Sequence, residues 1–91
     1  QVLLKLGEFF RRNGYLRVPS AARRKKDRRE YKKGYEMRFV ANTESELRDI
    51  QSYLRRAGVK IGRPFSKHHQ IVQPIYGKKP VEGLCDMLGI R

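Results

Sequence analysis

The stretch that most restricts how this chain can fold is Leu3 to Val18, LLKLGEFFRRNGYLRV, an apolar helix that ends at Asn13-Gly14 and runs directly into a strand. Its apolar residues do not share one face. Leu3, Leu6 and Phe10 form an i, i+3, i+7 stripe, and Val2 and Phe9 extend a second stripe beside it. A helix apolar on two sides needs two surfaces to pack against. In a chain of 91 residues one of them is its own sheet, and the expected second is a copy of the same helix, with Gly7 letting another backbone come close. Val2, Leu3, Leu6, Gly7 and Phe10 are therefore the candidate homodimer contacts.

Ninety-one residues make one domain, 1–91. A chain this short buries only roughly 60–65% of its unfolded surface, so a second copy would enlarge a small core. Charge says more than size. Lys plus Arg number 22 against 9 Asp plus Glu, a formal net charge of +13. Such an excess stabilises no fold, but it holds a polyanion by releasing counterions. Nucleic acid is the first partner it implies and an anionic membrane surface the second. No apolar run approaches the ~18 residues of a spanning helix and no signal-peptide pattern occurs, so no membrane is expected among its partners. The lone Cys85 excludes an internal disulfide and any Cys-cluster zinc site, as suits a reducing, intracellular location. Because the chain opens on Gln1 rather than Met, a piece trimmed from something longer is expected.

After Gly14, Tyr15-Leu16-Arg17-Val18 alternates as a half-buried strand with Leu16 and Val18 inward, ended by Pro19. Residues 20–33, SAARRKKDRREYKK, carry eight basic residues and two acidic ones with almost nothing to bury. Between two strands they read as a long basic hairpin loop, with a short solvated helix as the alternative and a plain solubilising surface as the bland reading. Gly34 opens the next strand, GYEMRFVAN, with Tyr35, Met37, Phe39 and Ala41 inward and Glu36, Arg38 and Val40 outward. Thr43-Glu44-Ser45-Glu46 is a capping-box signature, so Glu44, Glu46 and Asp49 are read as capping and dipole residues rather than catalytic ones. Leu47, Ile50 and Leu54 line that helix, and Arg55, Arg56 and Gly58 close it.

Val59 to Arg63 reads as a third strand and Phe65 to His68 as a turn. Gln70 to Tyr76 reads as a fourth strand, placed at an edge or bulge by Pro74. Pro80 suits the first turn of a last helix with Val81, Leu84, Cys85 and Leu88 inward. Cys85 is thus a small core residue rather than a nucleophile. His68 and His69 stand side by side without a nearby carboxylate or Cys, which makes a poor metal site and suits a turn. No metal and no cofactor is expected. The class is α+β, in the order helix, strand, strand, helix, strand, strand, helix.

That order and the first motif together resemble a single-motif domain of the LAGLIDADG homing-endonuclease family. The nine motif positions fall on Leu6-Gly7-Glu8-Phe9-Phe10-Arg11-Arg12-Asn13-Gly14, of which Leu6, Gly7, Phe9, Phe10 and Gly14 match in type. The long hairpin loop, KKGYEMRF, and Ile75-Tyr76-Gly77-Lys78-Lys79 before the last helix carry the likeness over nearly the whole chain. The resemblance implies an α-β-β-α-β-β-α fold, a four-stranded antiparallel sheet with helices on one face, and motif helices packed at a two-fold axis. It also implies a carboxylate just before the final Gly that holds a divalent metal. A hard cation there needs oxygen ligands and negative charge to polarise water. Here the position is Asn13, one neutral oxygen, and Arg11 and Arg12 add positive charge, while Glu8 lies more than a turn away. Loss of cleavage is the expectation. Either the chain is a natural descendant that kept the binding surface, which Arg11 and Arg12 favour, or a carboxylate was exchanged for its isosteric amide. Asn13-Gly14 also reads, without any function, as a helix C-cap with Gly14 left-handed.

By the same resemblance the uncovered sheet face contacts nucleic acid through Tyr15, Arg17, Glu36, Arg38 and Lys60. Arg17 and Arg38 carry forked donors suited to guanine O6 and N7, and Glu36 either accepts from cytosine N4 or pairs with neighbours of Arg38. Arg23, Arg24, Lys25, Lys26, Arg28, Arg29, Lys32 and Lys33 are the candidate phosphate contacts, with Lys67, His69 and Gln70 at the second hairpin. Three functions stay open: a duplex-DNA-binding protein without nuclease activity, an RNA-binding or ribonucleoprotein component, and an active nuclease whose acid comes from a partner subunit or another segment.

Overall fold

A computed structural model of the chain describes residues 2–18 and 34–90. The elements are α1 (Val2–Asn13), β1 (Tyr15–Arg17), β2 (Glu36–Ala41), α2 (Glu44–Arg56), β3 (Phe65–Lys67), β4 (Gln70–Tyr76) and α3 (Lys78–Leu88). The strands form one antiparallel sheet in the order β1-β2-β4-β3. This is the α+β class and the element order expected of the sequence. The hairpin loop expected over 20–33, with its eight basic residues, lies outside the described residues.

Strand alternation decides which face is covered. Met37, Phe39 and Ala41 of β2 and Ile75 of β4 point to one side, where they form a single core with Leu6 of α1, Ile50 and Leu54 of α2, and Val81, Leu84 and Cys85 of α3. All three helices pack on that side. Among the described residues the opposite face of the sheet carries no helix.

Thr43 caps α2 as its signature predicts, its Oγ1 accepting from the Glu46 N–H at 3.1 Å, with Glu44 and Glu46 in the first turn and Arg55 and Arg56 in the last. Glu46 then does something the capping box does not require. Its Oε1 accepts from the Asn42 N–H and from Arg12 Nη2, each at 2.8 Å, while Arg12 also donates to the Val40 carbonyl at 3.0 Å and lies over the Phe9 ring. One ion pair thus ties the end of α1 to the start of α2. Arg12 is accordingly a structural staple rather than a free charge beside Asn13.

Four expectations are corrected. The segment 59–64 is irregular, although Val59 is buried and Ile61 packs on the core. The Gly62 N–H donates to the Pro74 carbonyl at 2.9 Å without any ladder forming. The third strand is instead Phe65–Lys67, the residues read as a turn, and the turn is His68-His69. Pro74 sits in a central strand, not at an edge. Its nitrogen faces the same side as its carbonyl, toward the irregular segment, so no donor is missing from the pairing with β2. Gly14, finally, is not left-handed, as Gly58, Gly77 and Gly89 are. It is needed because a Cβ there would overlap the Phe10 ring and carbonyl oxygen, to which the Gly14 N–H bonds at 2.7 Å.

Two glycines therefore respond oppositely to alanine. Gly14→Ala lowers stability by about 1–3 kcal/mol through overlap with Phe10, whereas Gly83→Ala, inside α3 with open space around its missing Cβ, raises it by about 0.5–1 kcal/mol. Urea denaturation of the two variants measures both.

The staple gives a pH dependence. The Arg12 hydrogen bond first, and the Asn42 N–H second, hold the Glu46 carboxyl below its ordinary range against a smaller opposing effect of burial. A carboxylate depressed on folding stabilises the native state above its unfolded pKa, and that contribution vanishes as pH falls through the lower folded value. Denaturation midpoints followed from about pH 6 down to about pH 3 should fall more steeply for the wild type than for Glu46→Gln, the two curves converging at the acid end.

Candidate nucleic-acid interface

The pairing register arranges the uncovered face in rows. Tyr15, Arg38 and Pro74 stand across β1, β2 and β4 in one row, and Arg17, Glu36 and Tyr76 in the next. Val40, Val72 and Phe65 make a third row across β2, β4 and β3, and Gln70 and Lys67 a fourth. Tyr15, Arg17, Arg38 and Lys67, all candidates from sequence, are thus brought to one surface.

Glu36 is the residue whose role changes most. Although it points away from the core, only 2% of it is exposed. Arg17 Nη2 meets its Oε1 at 2.9 Å and Arg38 Nε meets its Oε2 at 2.8 Å. Both carboxylate oxygens are occupied, so Glu36 is not a cytosine reader but the post to which two arginines are tied. The Glu36 hydrogen bond raises the Arg38 pKa above its ordinary value despite partial burial, which keeps the guanidinium charged. Arg17 also donates from Nε to the Gly34 carbonyl at 3.2 Å, so its fork faces inward to protein. Arg38 differs. Its guanidinium carbon lies 5.1 Å from the Tyr15 ring centre and 5.5 Å from that of Phe65, and among the described residues only Nε is engaged. Of the two forked candidates, Arg38 keeps donors for a ligand.

Beside this cluster runs a groove of about 490 Å³. Val40 and Val72 floor it, Tyr15, Arg38, Lys67, His68 and Gln70 wall it, and Asn13 stands at its end where α1 stops. Among the described residues no carboxylate lines it, and no group of three or more His, Cys, Asp or Glu gathers as a metal would require. A neutral amide beside Arg38 and Lys67 does not fit the divalent cation that the resemblance implies.

Sequence reading missed Phe65, His68 and Tyr76 as members of this face. His68 and His69 occupy a two-residue hairpin turn with φ of 51° and 66°, both left-handed. That turn usually carries Asn-Gly, and two histidines there hold sparsely populated backbone. The available signal was the matched alternation of Phe65 and Lys67 with Gln70 and Val72 about a two-residue centre.

Other candidates fall elsewhere. Lys60 is exposed on the irregular segment 59–64 and is not on a strand. Arg23, Arg24, Lys25, Lys26, Arg28, Arg29, Lys32 and Lys33 lie outside the described residues. On α1, Leu6 is wholly buried in the chain's own core, and Val2, Phe9 and Phe10 pack on the same core, so Leu6 offers nothing to a partner and, Leu3 apart, the two expected stripes are one side. The second apolar side is Leu3 and Leu4, 37% and 59% exposed, beside Gly7. What fills the space next to Gly7 is the Arg11 guanidinium, 3.2 Å from where a Cβ would stand, rather than another backbone.

Among the described residues no helix is long and apolar enough to cross a membrane. Comparison with protein-family models, with curated proteins and with solved structures returns no match for this chain.

Proposed function

We propose that this chain is a nucleic-acid-binding protein of homing-endonuclease type that holds duplex DNA against the uncovered face of its sheet without cutting it. The observation that carries this reading is the groove itself, a surface with the cations Arg38 and Lys67, the amides Asn13 and Gln70, His68 and, among the described residues, no acid in its lining. The same composition that attracts phosphate repels a catalytic cation. The net charge of +13 supplies attraction over the whole chain, and the basic run at 23–33 adds phosphate contacts that position rather than select. Arg38 reads base edges through the donors Glu36 leaves it. The lone Cys85 agrees with a reducing, intracellular setting.

Two copies join through the exposed side of α1. Leu3 and Leu4 supply apolar area, and Gly7 permits close approach once Arg11 swings aside. Glu8 and Arg11, both exposed on this helix, are oppositely charged and so can pair reciprocally across a two-fold axis. Such a dimer sets two grooves in line and calls for a pseudo-palindromic target.

A second reading, an RNA-binding component, is favoured by one specific feature, the exposed aromatic rings on the same face.

Contact with six to ten phosphates should lower affinity by about 10³–10⁵ between about 50 and about 200 mM salt, and Lys67→Ala should reduce the salt slope by about 1. Salt-independent binding in a fluorescence titration would remove the electrostatic basis of the proposal. With Mg²⁺ present the chain as written should leave DNA intact, and gel assays beside Asn13→Asp test this: cleavage by the unaltered chain refutes the loss of nuclease activity, while cleavage by the variant alone locates that loss at Asn13. Leu4→Glu should yield a folded protein that sediments as a monomer and binds a two-half-site duplex more weakly than the parent does.

A further inference from the structure

Among the described residues the exposed aromatic side chains are not scattered. Among the described residues Tyr15, Phe65 and Tyr76 are the exposed ones, at 45%, 37% and 53%, and the register places all three on the uncovered sheet face. They come from three different strands. Each ring is positioned by a neighbour: Tyr15 and Phe65 flank the Arg38 guanidinium, and the Tyr76 ring lies where a side chain at Gly62 would have to be. Glu36, through its 2.8 Å bond to Arg38 Nε, fixes the guanidinium between the two rings. The result is a preset platform of rings and one planar cation.

A base-paired duplex has little use for such a platform, because its grooves present base edges and keep the ring faces stacked inside. Unpaired bases are the complement. Their faces stack on Tyr, Phe and Arg planes while the phosphates between them meet nearby cations, here Lys67 beside the rings. We infer that the Tyr15–Arg38–Phe65 cluster is a stacking site for unpaired nucleobases, so that the face takes single-stranded nucleic acid or the single-stranded part of a folded one. This rests on the nucleic-acid reading above but not on its duplex form.

The test uses four labelled ligands of equal length at one salt concentration: a single-stranded RNA, a single-stranded DNA, a DNA duplex, and an abasic single strand with the same phosphates. Fluorescence anisotropy should show both base-bearing single strands binding at least about tenfold more tightly than the abasic strand, and Tyr15→Leu and Phe65→Leu should each weaken them roughly 5- to 100-fold, removing most of their advantage over the abasic strand. Leucine keeps apolar cover over the sheet, and a circular-dichroism melt matching the parent's confirms the fold. Since the chain has no Trp, tyrosine emission reports directly, and it should be quenched by the base-bearing strands and not by the abasic one. A preference between the RNA and DNA strands identifies the source of the bases. Equal binding of base-bearing and abasic strands, or a duplex that outcompetes both and is indifferent to Tyr15→Leu, overturns the stacking site and leaves the duplex reading standing. Failure of all four ligands to bind overturns both.

Discussion

Glu36 sits on the side of the sheet away from the described helices, yet it is almost wholly removed from water, where a carboxylate needs a partner for each oxygen. Arg17 and Arg38 make it tenable by occupying one oxygen each. Such a trio is weak as a source of stability, since desolvating the charges offsets most of their attraction. Its value lies in direction. Arg17 is drawn inward to Glu36 and the Gly34 carbonyl, Arg38 is held upright between two rings, and the rings cannot close over the sheet while the guanidinium stands between them. Position on this face therefore descends from one acid.

The same strand explains why the fold and the working surface are inseparable. β2 gives Met37, Phe39 and Ala41 to the core and Glu36, Arg38 and Val40 to the other side, so a slip of one residue would expose the core and bury the arginines together. Arg12 guards against movement at the end of α1: its bond to the Val40 carbonyl and its pair with Glu46 fix the helix end against β2 and α2, which sets Asn13 at the mouth of the groove. Its charge is spent within the fold, so it weighs on the metal question less than its place beside Asn13 suggests.

Much of this was legible in the sequence because periodicity reports core faces. The inward residues of β2 and of α2, the Thr43 cap, the span of β4 and the apolar face of α3 all follow from spacing and local chemistry. What escaped has a common cause: it depends on partners distant in sequence. Glu36 alternates outward, as read, but its burial requires the register that sets Arg17 opposite it. Val59 and Ile61 alternate like a strand because both pack inward, yet the backbone bond to β4 comes just past them, from the Gly62 N–H to the Pro74 carbonyl. The turn of the second hairpin reads from sequence as Phe65–His68, because His68-His69 lacks the Gly or Asn that announces a left-handed turn, and Phe65 thereby loses its place on a strand beside Arg38. On α1 the pattern showed two apolar sides but could not say that Leu6 belongs inside and Leu4 outside, since that depends on how the helix rolls against the sheet.

The charge of the chain and the chemistry of its exposed face answer different questions. A surplus of +13 attracts any polyanion and that attraction fades with salt, so in the proposed function it governs how tightly nucleic acid is held and says nothing of which kind. Selection must come from groups that are short in range and fixed in place. On this face those are one guanidinium locked by Glu36 and three rings locked by their neighbours, all on strands rather than flexible segments. Where a nuclease of the family it resembles would concentrate negative charge at the end of the first helix, this chain places an amide flanked by cations. Electrostatics that favour a phosphate disfavour a metal, so in the proposed function binding without cutting follows from one arrangement of charge.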